Sequence, residues 1–532
     1  MWRMCGLWDV RPERKALSVA DSRNVSSVLL VALGRPIVGN EDARVDMTTG
    51  AISPKLFSLA WPLVLGNLLQ TLYNLADMFW VGRVSTEAVA AVSLMFPLSW
   101  LFVSTAMGLT AATIALVSQY VGAGEDRRAD EVVAQTVLLA TVVSVILALV
   151  GFATRHWLLY WIGARGAVFV EALAYIEVIF LTLPLTFLFF AFRSSLQGAG
   201  DTKTAMWLVA ISAGINIVID PFFILGWGPV PALGTQGAAV ATLIARLFAT
   251  GIGIWILIRG NWGVKLYVRD LKPNPTLLRK LIDIGYPSTL DGWARSFAAV
   301  AMAALVARFG PAATAAYGIG VRLMSVSWSV AGAVGQATAT GVGQNLGAKT
   351  PDRAAAVTRA ATVGTMLLLA AAGGVVWLFP ATAMGVFVDD PETIAEGVVF
   401  LRIVALSWAF FGGLMVVQGG FRGAGNTGIA MVLSMLSRWV VRLPLAGLLA
   451  FGAVSVTLGG FDLGPVSVPA VEFGYTGLDW GVEGLWWAYT TAAVVSFVVG
   501  VAWFLRGTWR EGVVEKQDDD ADQESVAATT DD

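Results

Sequence analysis

The sequence predicts an all-α polytopic membrane protein, with twelve transmembrane helices in two parallel six-helix lobes related by a pseudo-twofold axis. Three observations predict it. The first is composition: the 532 residues are 57% hydrophobic and 14% charged, with a mean hydropathy of +0.72. A soluble domain is roughly half apolar and about a quarter charged, so this chain belongs in lipid. The second is that apolar stretches recur along the whole chain, each near the ~20 residues a helix needs to cross a bilayer. The third is internal duplication: adding 225 to a position in the first half keeps register without a gap from about residue 55 to 206. Pro62 falls on Pro287, Arg83 on Arg308, Gln119 on Gln344 and Gly122 on Gly347. Gly198-Ala-Gly-Asp-Thr202 falls on Gly423-Ala-Gly-Asn-Thr427. A period this long is a copied half-protein rather than a solenoid repeat, and in a hydrophobic chain it marks two bundles around a central site.

In chain order the apolar runs give spans at roughly 55–80, 88–118, 130–153, 167–190, 204–225 and 236–258 in the first lobe (residues 53–259). The second lobe (279–506) repeats them at roughly 279–307, 313–342, 355–378, 394–417, 428–451 and 483–505. Six spans is an even number, so both halves insert in the same sense and the axis relating them runs along the membrane normal. The polar stretch 260–278, with Lys272-Pro-Asn-Pro275, reads as a cytoplasmic inter-lobe linker. The loop at 453–480 is an insertion without counterpart, because Gly234 matches Gly481 only at an offset of 247; it has the make-up of a small hairpin cap. Residues 1–52 read as a disordered or non-native extension, or as sequence ahead of a start at Met47. The acidic stretch 507–532 reads as a disordered tail.

Lys and Arg in short loops orient the spans. With the N-terminus inside, the cytoplasmic loops collect Arg127, Arg128, Arg193, Lys203, Lys265, Lys272, Lys349, Arg353 and Arg422. The outside loops hold Arg83, Arg155, Arg165 and Arg308, together with acids such as Asp389, Asp390 and Glu392. The expectation is a multi-pass plasma-membrane protein with both termini cytoplasmic. Cys5 is the only cysteine and His156, placed in an outside loop, the only histidine, which excludes a disulfide, a cysteine-ligated cluster and most His-based catalysis. The net charge of −2 gives no reason to expect a nucleic-acid partner. No enzyme activity and no cofactor are expected, and the chain reads as a monomer whose partners are the bilayer and small molecules.

An ionisable group inside a membrane helix is costly unless it faces a cavity or a partner. In span 1, Asn67, Gln70, Asn74 and Asp77 recur at helical spacing and form one polar stripe, with Tyr73 beside it. In span 5, Ser212, Asn216 and Asp220 do the same. Touching spans would frame one polar pocket from these stripes. Its carboxylates could hold a proton, or, when ionised, could bind Na⁺ at Asp77, Asp220 and Asn216. The plain alternative is that each acid is a helix-end group satisfied by neighbours, Asp220 especially, since Pro221 follows it. The second lobe carries Asp291, Arg295, Arg322, Arg402, Arg438 and Arg442. The repeat brings spans 7 and 11 together, which predicts a structural ion pair from Asp291 to Arg438 or Arg442. Trp61 is a candidate cavity residue alongside Asn67, Gln70 and Asn74. The two Gly-Ala-Gly motifs lack a strand-turn-helix context and read as tight turns rather than phosphate cradles.

On these residues the chain resembles the multidrug and toxic compound extrusion family over about residues 53–506. The resemblance rests on Gln70-Thr-Leu-Tyr-Asn-Leu-Ala-Asp77, Val117-Ser-Gln-Tyr-Val-Gly-Ala-Gly124, Gln197-Gly-Ala-Gly-Asp-Thr202 and Asn216-Ile-Val-Ile-Asp-Pro221. It implies export of organic cations and amphipathic compounds by H⁺ or Na⁺ antiport through alternating access. In the DinF-like prokaryotic branch the coupling site lies in the first lobe, and the resemblance places it at Asp77, Asp220, Asn216, Tyr73 and Thr242. The NorM-type branch has acids in spans 7 and 10, where this chain has Arg295 and Phe411, so no second-lobe cation site is expected. One rival is a lipid-linked oligosaccharide flippase of the related superfamily, which needs a cationic central cavity. The other, a membrane-embedded enzyme or receptor, lacks any appended soluble domain or catalytic cluster.

Overall fold

The computed structural model describes residues 44–458, 461–463, 466–468 and 471–514. Twelve long helices carry the chain back and forth: α1 (Ile52–Val81), α2 (Thr86–Gly122), α3 (Asp126–Ile162), α4 (Gly166–Gly198), α5 (Thr202–Leu225), α6 (Thr235–Arg259), α7 (Pro275–Ala307), α8 (Pro311–Gly347), α9 (Pro351–Leu378), α10 (Pro391–Gly423), α11 (Thr427–Ala450) and α12 (Val482–Leu505). Eleven are long and apolar enough to cross a membrane. The exception is α8, which has the length but is rich in Gly, Ala, Thr and Gln. Its terminal half is buried against protein, where small polar residues allow close helix contact. A 3-10 turn at Ala405–Ser407 interrupts α10, and a π-helical stretch at Leu436–Arg442 interrupts α11.

The duplication is exact at the level of elements. Moving α2, α4 and α5 by 225 residues reproduces the bounds of α8, α10 and α11. The start of α3 likewise falls on the start of α9, which ends early because Pro380 stops it. Ser85 caps α2 by accepting from the Ala88 amide (3.0 Å), and Asp201 caps α5 by accepting from Thr204 (2.9 Å). The Gly-Ala-Gly motifs are indeed turns: Gly200 (φ +91) and Gly425 (φ +82) adopt left-handed backbone at equivalent helix ends. The 453–480 insertion forms antiparallel ribbons, β1 (Ala453–Leu458) with β4 (Val471–Thr476) and β2 (Phe461–Leu463) with β3 (Val466–Val468).

Each lobe has its own core. In the first, Phe102, Leu159, Phe180 and Phe187 pack together; in the second, Met302, Phe400, Trp408 and Trp486 do. Between lobes, α2 lies along α7 and α8, and α1 along α8. The hydrogen bonds joining the lobes run from mid-membrane (Trp293 Nε1 to Leu101 O, 3.3 Å; Asn67 Nδ2 to Ser329 O, 3.3 Å) to the terminal face, where the segments 44–51 and 506–514 lie (Gln119 Nε2 to Gly423 O, 2.9 Å). At that terminal face α2 and α8 cross at two equivalent glycines. A Cβ on Gly122 would lie 2.0 Å from the Gln344 carbonyl oxygen, and one on Gly347 1.9 Å from that of Gln119. The lobes are therefore shut against each other there.

Four sequence expectations need correction. Residues 44–52 are not part of a disordered extension: Met47 is fully buried, and its amide donates to Gln344 Oε1 (2.9 Å). Residues 507–514 are not tail, since Trp509 is buried and the amides of Val513 and Val514 donate to Gln119 Oε1. The rest of both expectations, 1–43 and 515–532, lies outside the described residues. Arg193 and Arg422 sit inside α4 and α10 rather than in loops, because these helices run eight and six residues beyond the apolar stretch. His156 lies within α3. The segment 260–278 is held to α3 by a two-bonded Arg127–Asp270 pair (2.5 and 2.6 Å) and by Gln135 Nε2 to the carbonyls of Asp270 and Lys272 (both 2.7 Å).

Candidate functional site: an acidic pocket in the first lobe

The first-lobe stripes meet. Helix α1 packs on α5, and α5 on α6. Tyr73 from α1 shares a 3.0 Å hydrogen bond with Thr242 of α6. Asp220 and Asn216 on α5 are fully buried beside them, and Asp77 lies one turn on from Tyr73 on α1. The site is thus built from α1, α5 and α6, with Tyr175 of α4 packed against the cluster of Val81, Ile224 and Ala238 at the ends of these helices.

Its defining feature is unsatisfied polarity. Both carboxylate oxygens of Asp220, Oδ1 of Asp77, and Oδ1 and Nδ2 of Asn216 are buried without a hydrogen-bond partner among the described residues. Buried polar atoms are nearly always paired, so a cluster of this kind asks for a proton or a cation. The helix-end alternative fails for Asp220, whose two oxygens have no neighbour to satisfy them. Pro221 adds a backbone consequence. It lacks the N–H that would bond the carbonyl of Ile217, leaving α5 one bond short beside the acid.

The equivalent region of the second lobe is filled. The 225-residue offset maps Tyr73 onto Ala298, Asp77 onto Met302, Asn216 onto Val441 and Asp220 onto Leu445, and the 247-residue offset maps Thr242 onto Tyr489. Met302 is buried in the apolar core with Trp486 and Tyr489, and Leu445 packs against it. One frame therefore holds a polar pocket in one copy and a solid core in the other.

The other expected residues divide. A cleft next to the acids is lined by Gln70, Tyr73, Ser212, Thr242 and Arg246. Asn67 spans the lobe boundary, accepting from Arg193 Nη2 (3.3 Å) and donating to Ser329 O. Gln70 Nε2 donates to Asn74 Oδ1 (3.3 Å), while Gln70 Oε1 accepts from Arg246 Nη2 (3.4 Å). Trp61 is 37% exposed on α1 and takes no part in the acidic cluster. Spans 7 and 11 do touch, but Asp291 is held by Arg295 and Arg422 (3.4 Å) rather than by Arg438 or Arg442. Arg295 is one turn on from Asp291 in the same helix, which makes it the nearer partner. Arg438 instead bonds Ser434, and Arg442 lies over the Tyr489 ring at 3.6 Å. Sequence reasoning missed Arg246 altogether. The signal was present, a lone arginine within the apolar run Ala241–Thr250. It also misplaced Arg193 and overlooked Tyr175.

Fold and pocket together define a two-lobed, duplicated membrane protein with an ionisable site in one lobe. The family model MatE matches residues 62–222 and 287–448, one segment in each lobe, and the chain belongs to that family, the multidrug and toxic compound extrusion proteins. It is 30% identical over 399 residues to a probable multidrug resistance protein, YoeA, of Bacillus subtilis, covering 73% of this chain and 85% of that protein. It is 29% identical over 311 residues to a FAD transporter of Shewanella oneidensis, covering 58% of this chain and 69% of that one. Among solved structures, a multidrug resistance MATE transporter in an outward-facing conformation superposes with a TM-score of 0.76 at 22% identity, covering 86% of this chain and 96% of that one.

Proposed function

We propose that the protein is a secondary active efflux transporter that expels amphipathic compounds by H⁺ or Na⁺ antiport through alternating access. The observation that carries this is the set of unsatisfied carboxylate oxygens on Asp77 and Asp220 beside Asn216. The relatives named for multidrug resistance supply the efflux part of the reading. The location of the acids in the first lobe alone agrees with the DinF-like branch. The protein works as a monomer in the plasma membrane, with the terminal face cytoplasmic.

In this cycle a proton or Na⁺ enters from the outer side and neutralises Asp77 and Asp220. Tyr73 and Thr242, joined to each other in this state, and Asn216 are the adjacent groups that re-pair when it does. The break at Pro221 lets the outer part of α5 follow. Cargo leaves because the loaded lobe binds it less well, and only such a difference between states can drive transport. Release of the cation to the cytoplasm then resets the lobe.

The test is efflux from proteoliposomes under separately imposed pH and Na⁺ gradients. One gradient should drive transport and the other should not. Asp77→Asn and Asp220→Asn should each abolish gradient-driven efflux while the protein still elutes as a folded species. Full gradient-driven efflux from Asp77→Asn would overturn the coupling role.

A further inference from the structure

The family resemblance implies cationic cargo, yet the groups that border the centre of this molecule are basic. In the first lobe, Arg246 is 8% exposed and lines the cleft with Gln70 and Tyr73. Among the described residues it has no carboxylate partner: Nη2 reaches only the Gln70 amide oxygen, the guanidinium lies over the Phe189 ring at 4.2 Å, and Nη1 is buried without a partner. Arg193 has one contact of 3.3 Å, to the neutral Asn67 at the lobe boundary. In the second lobe, Asp291 is shared by Arg295 and Arg422, which keep 30% and 22% of their side-chain surface open, and Arg438 bonds only Ser434.

The repeat sets these groups at matching depths in the two lobes. Arg295 is the counterpart of Gln70, the residue that Arg246 touches. Arg422 is the counterpart of Gln197, one helical turn from Arg193. The pseudo-twofold axis therefore sets Arg193 and Arg246 at the depth of Arg295 and Arg422 on either side of the lobe boundary. Five guanidiniums outnumber the three carboxylates Asp77, Asp220 and Asp291 even when all three are ionised. In a low-dielectric interior, unpaired guanidiniums repel a cation and attract an anion, and their planar fork suits carboxylate and phosphate oxygens.

We propose that the basic groups at this depth, beginning with Arg246 in the first-lobe cleft, form an organic-anion site, taking an amphipathic compound that carries phosphate or carboxylate charge on an aromatic or apolar body. Arg246 and Arg193 bind the anionic group from one lobe, and Arg422 and Arg295 from the other. Phe189, beneath Arg246, gives the guanidinium an apolar backing that holds it flat toward the cleft. Coupling and cargo then occupy adjacent parts of one lobe without competing: the acids take the cation and the arginines take the anion. The proposal rests on the efflux reading above for its premise that the cleft carries cargo.

Riboflavin and flavin mononucleotide make a clean probe pair, since they share a fluorescent ring and differ by one phosphate; ethidium supplies a cation of similar size. Binding to the purified protein by fluorescence anisotropy should favour flavin mononucleotide over riboflavin by about tenfold or more, and over ethidium. Added salt should weaken the first and leave riboflavin unchanged. In Arg246→Gln and Arg422→Gln the preference should fall to about threefold or less, while Arg246→Lys, which keeps the charge, should retain part of it. Equal binding of the two flavins, tighter binding of ethidium, or no binding of any probe would overturn the proposal. So would a preference that survives both glutamine variants. The coupling reading fails separately: if neither gradient drives transport while the phosphate preference stands, the antiport mechanism is wrong and the anion site remains.

Discussion

Asp220 and Met302 illustrate what a single residue decides here. Asp220 is fully buried with two unsatisfied oxygens, while Met302, which stands where the repeat would put a second Asp77, is buried in an apolar core. The polar stripes of α1 and α5 were legible in the sequence because helical spacing places each on one face, whereas contact between α1 and α5 comes from the packing of the helices. The partner of Asp291 was not legible. Helix contact alone allows several arginines, and the choice depends on side-chain reach, which favours Arg295 and Arg422. Two outcomes belong to this scale. Tyr73→Phe removes one neutral hydrogen bond, to Thr242, and should cost about 1 kcal/mol, read as a lower melting temperature in detergent. Asp270, in the linker outside the membrane, is held below the usual carboxylate range by the hydrogen bonds from Arg127, with its burial opposing. A carboxylate depressed in the folded state stabilises above its unfolded value, near 3.8, and loses that contribution as pH falls through the folded value. Asp270→Asn should therefore be less stable than the parent protein at pH 7, by about 1 kcal/mol given the half-exposed arginine, and the difference should shrink as pH falls below the usual carboxylate value of 3.8.

Among the elements, α2 and α8 are the copies kept most faithfully, and their crossing shows why. Each presents a glycine to the other's backbone carbonyl at the terminal face, at positions 225 residues apart. Neither crossing glycine can gain a Cβ without moving a main chain. Gly122→Val should therefore push α2 and α8 apart and populate a state open at the terminal face. Spin labels at Ala123→Cys and Ala348→Cys would report it as a longer distance in the variant than in the parent protein, and an unchanged distance would show that the crossing relaxes locally instead. The boundaries of other elements were read less well. Helices α4 and α10 continue past their apolar stretches because protein, not lipid, surrounds their terminal turns, so hydropathy fades before the helix does. That is how Arg193 and Arg422 came to be read as loop residues.

Across the whole molecule the segments that flank the first and last helices cross over. The segment at 45–50 leads into α1 of the first lobe, yet it is gripped by the second: Gln344 Oε1 accepts from Met47 (2.9 Å), Asn345 Nδ2 donates to Met47 O (3.2 Å), and Arg353 donates to the carbonyls of Met47, Thr49 and Gly50. The segment at 509–514 leaves α12 of the second lobe, and Gln119 of the first accepts from Val513 (2.8 Å) and Val514 (3.3 Å) while bonding Gly423 O. Gln119 and Gln344 are equivalent in the repeat. The same side chain was thus kept twice, and in each copy it receives the flanking segment that belongs to the other lobe. Opening the terminal face must break both grips, so together they weigh on the balance between the two states of the cycle. Replacing either glutamine with alanine removes two or more hydrogen bonds from the closed state only, about 1–2 kcal/mol, or roughly a tenfold shift in population for each. The two glutamines flank one crossing, Gly347 against the Gln119 carbonyl and Gly122 against the Gln344 carbonyl, so the grips are coupled and the double variant should depart from the product of the two single shifts in the spin-label distances. A double variant no more open than either single one would mean that the two grips release as a single unit.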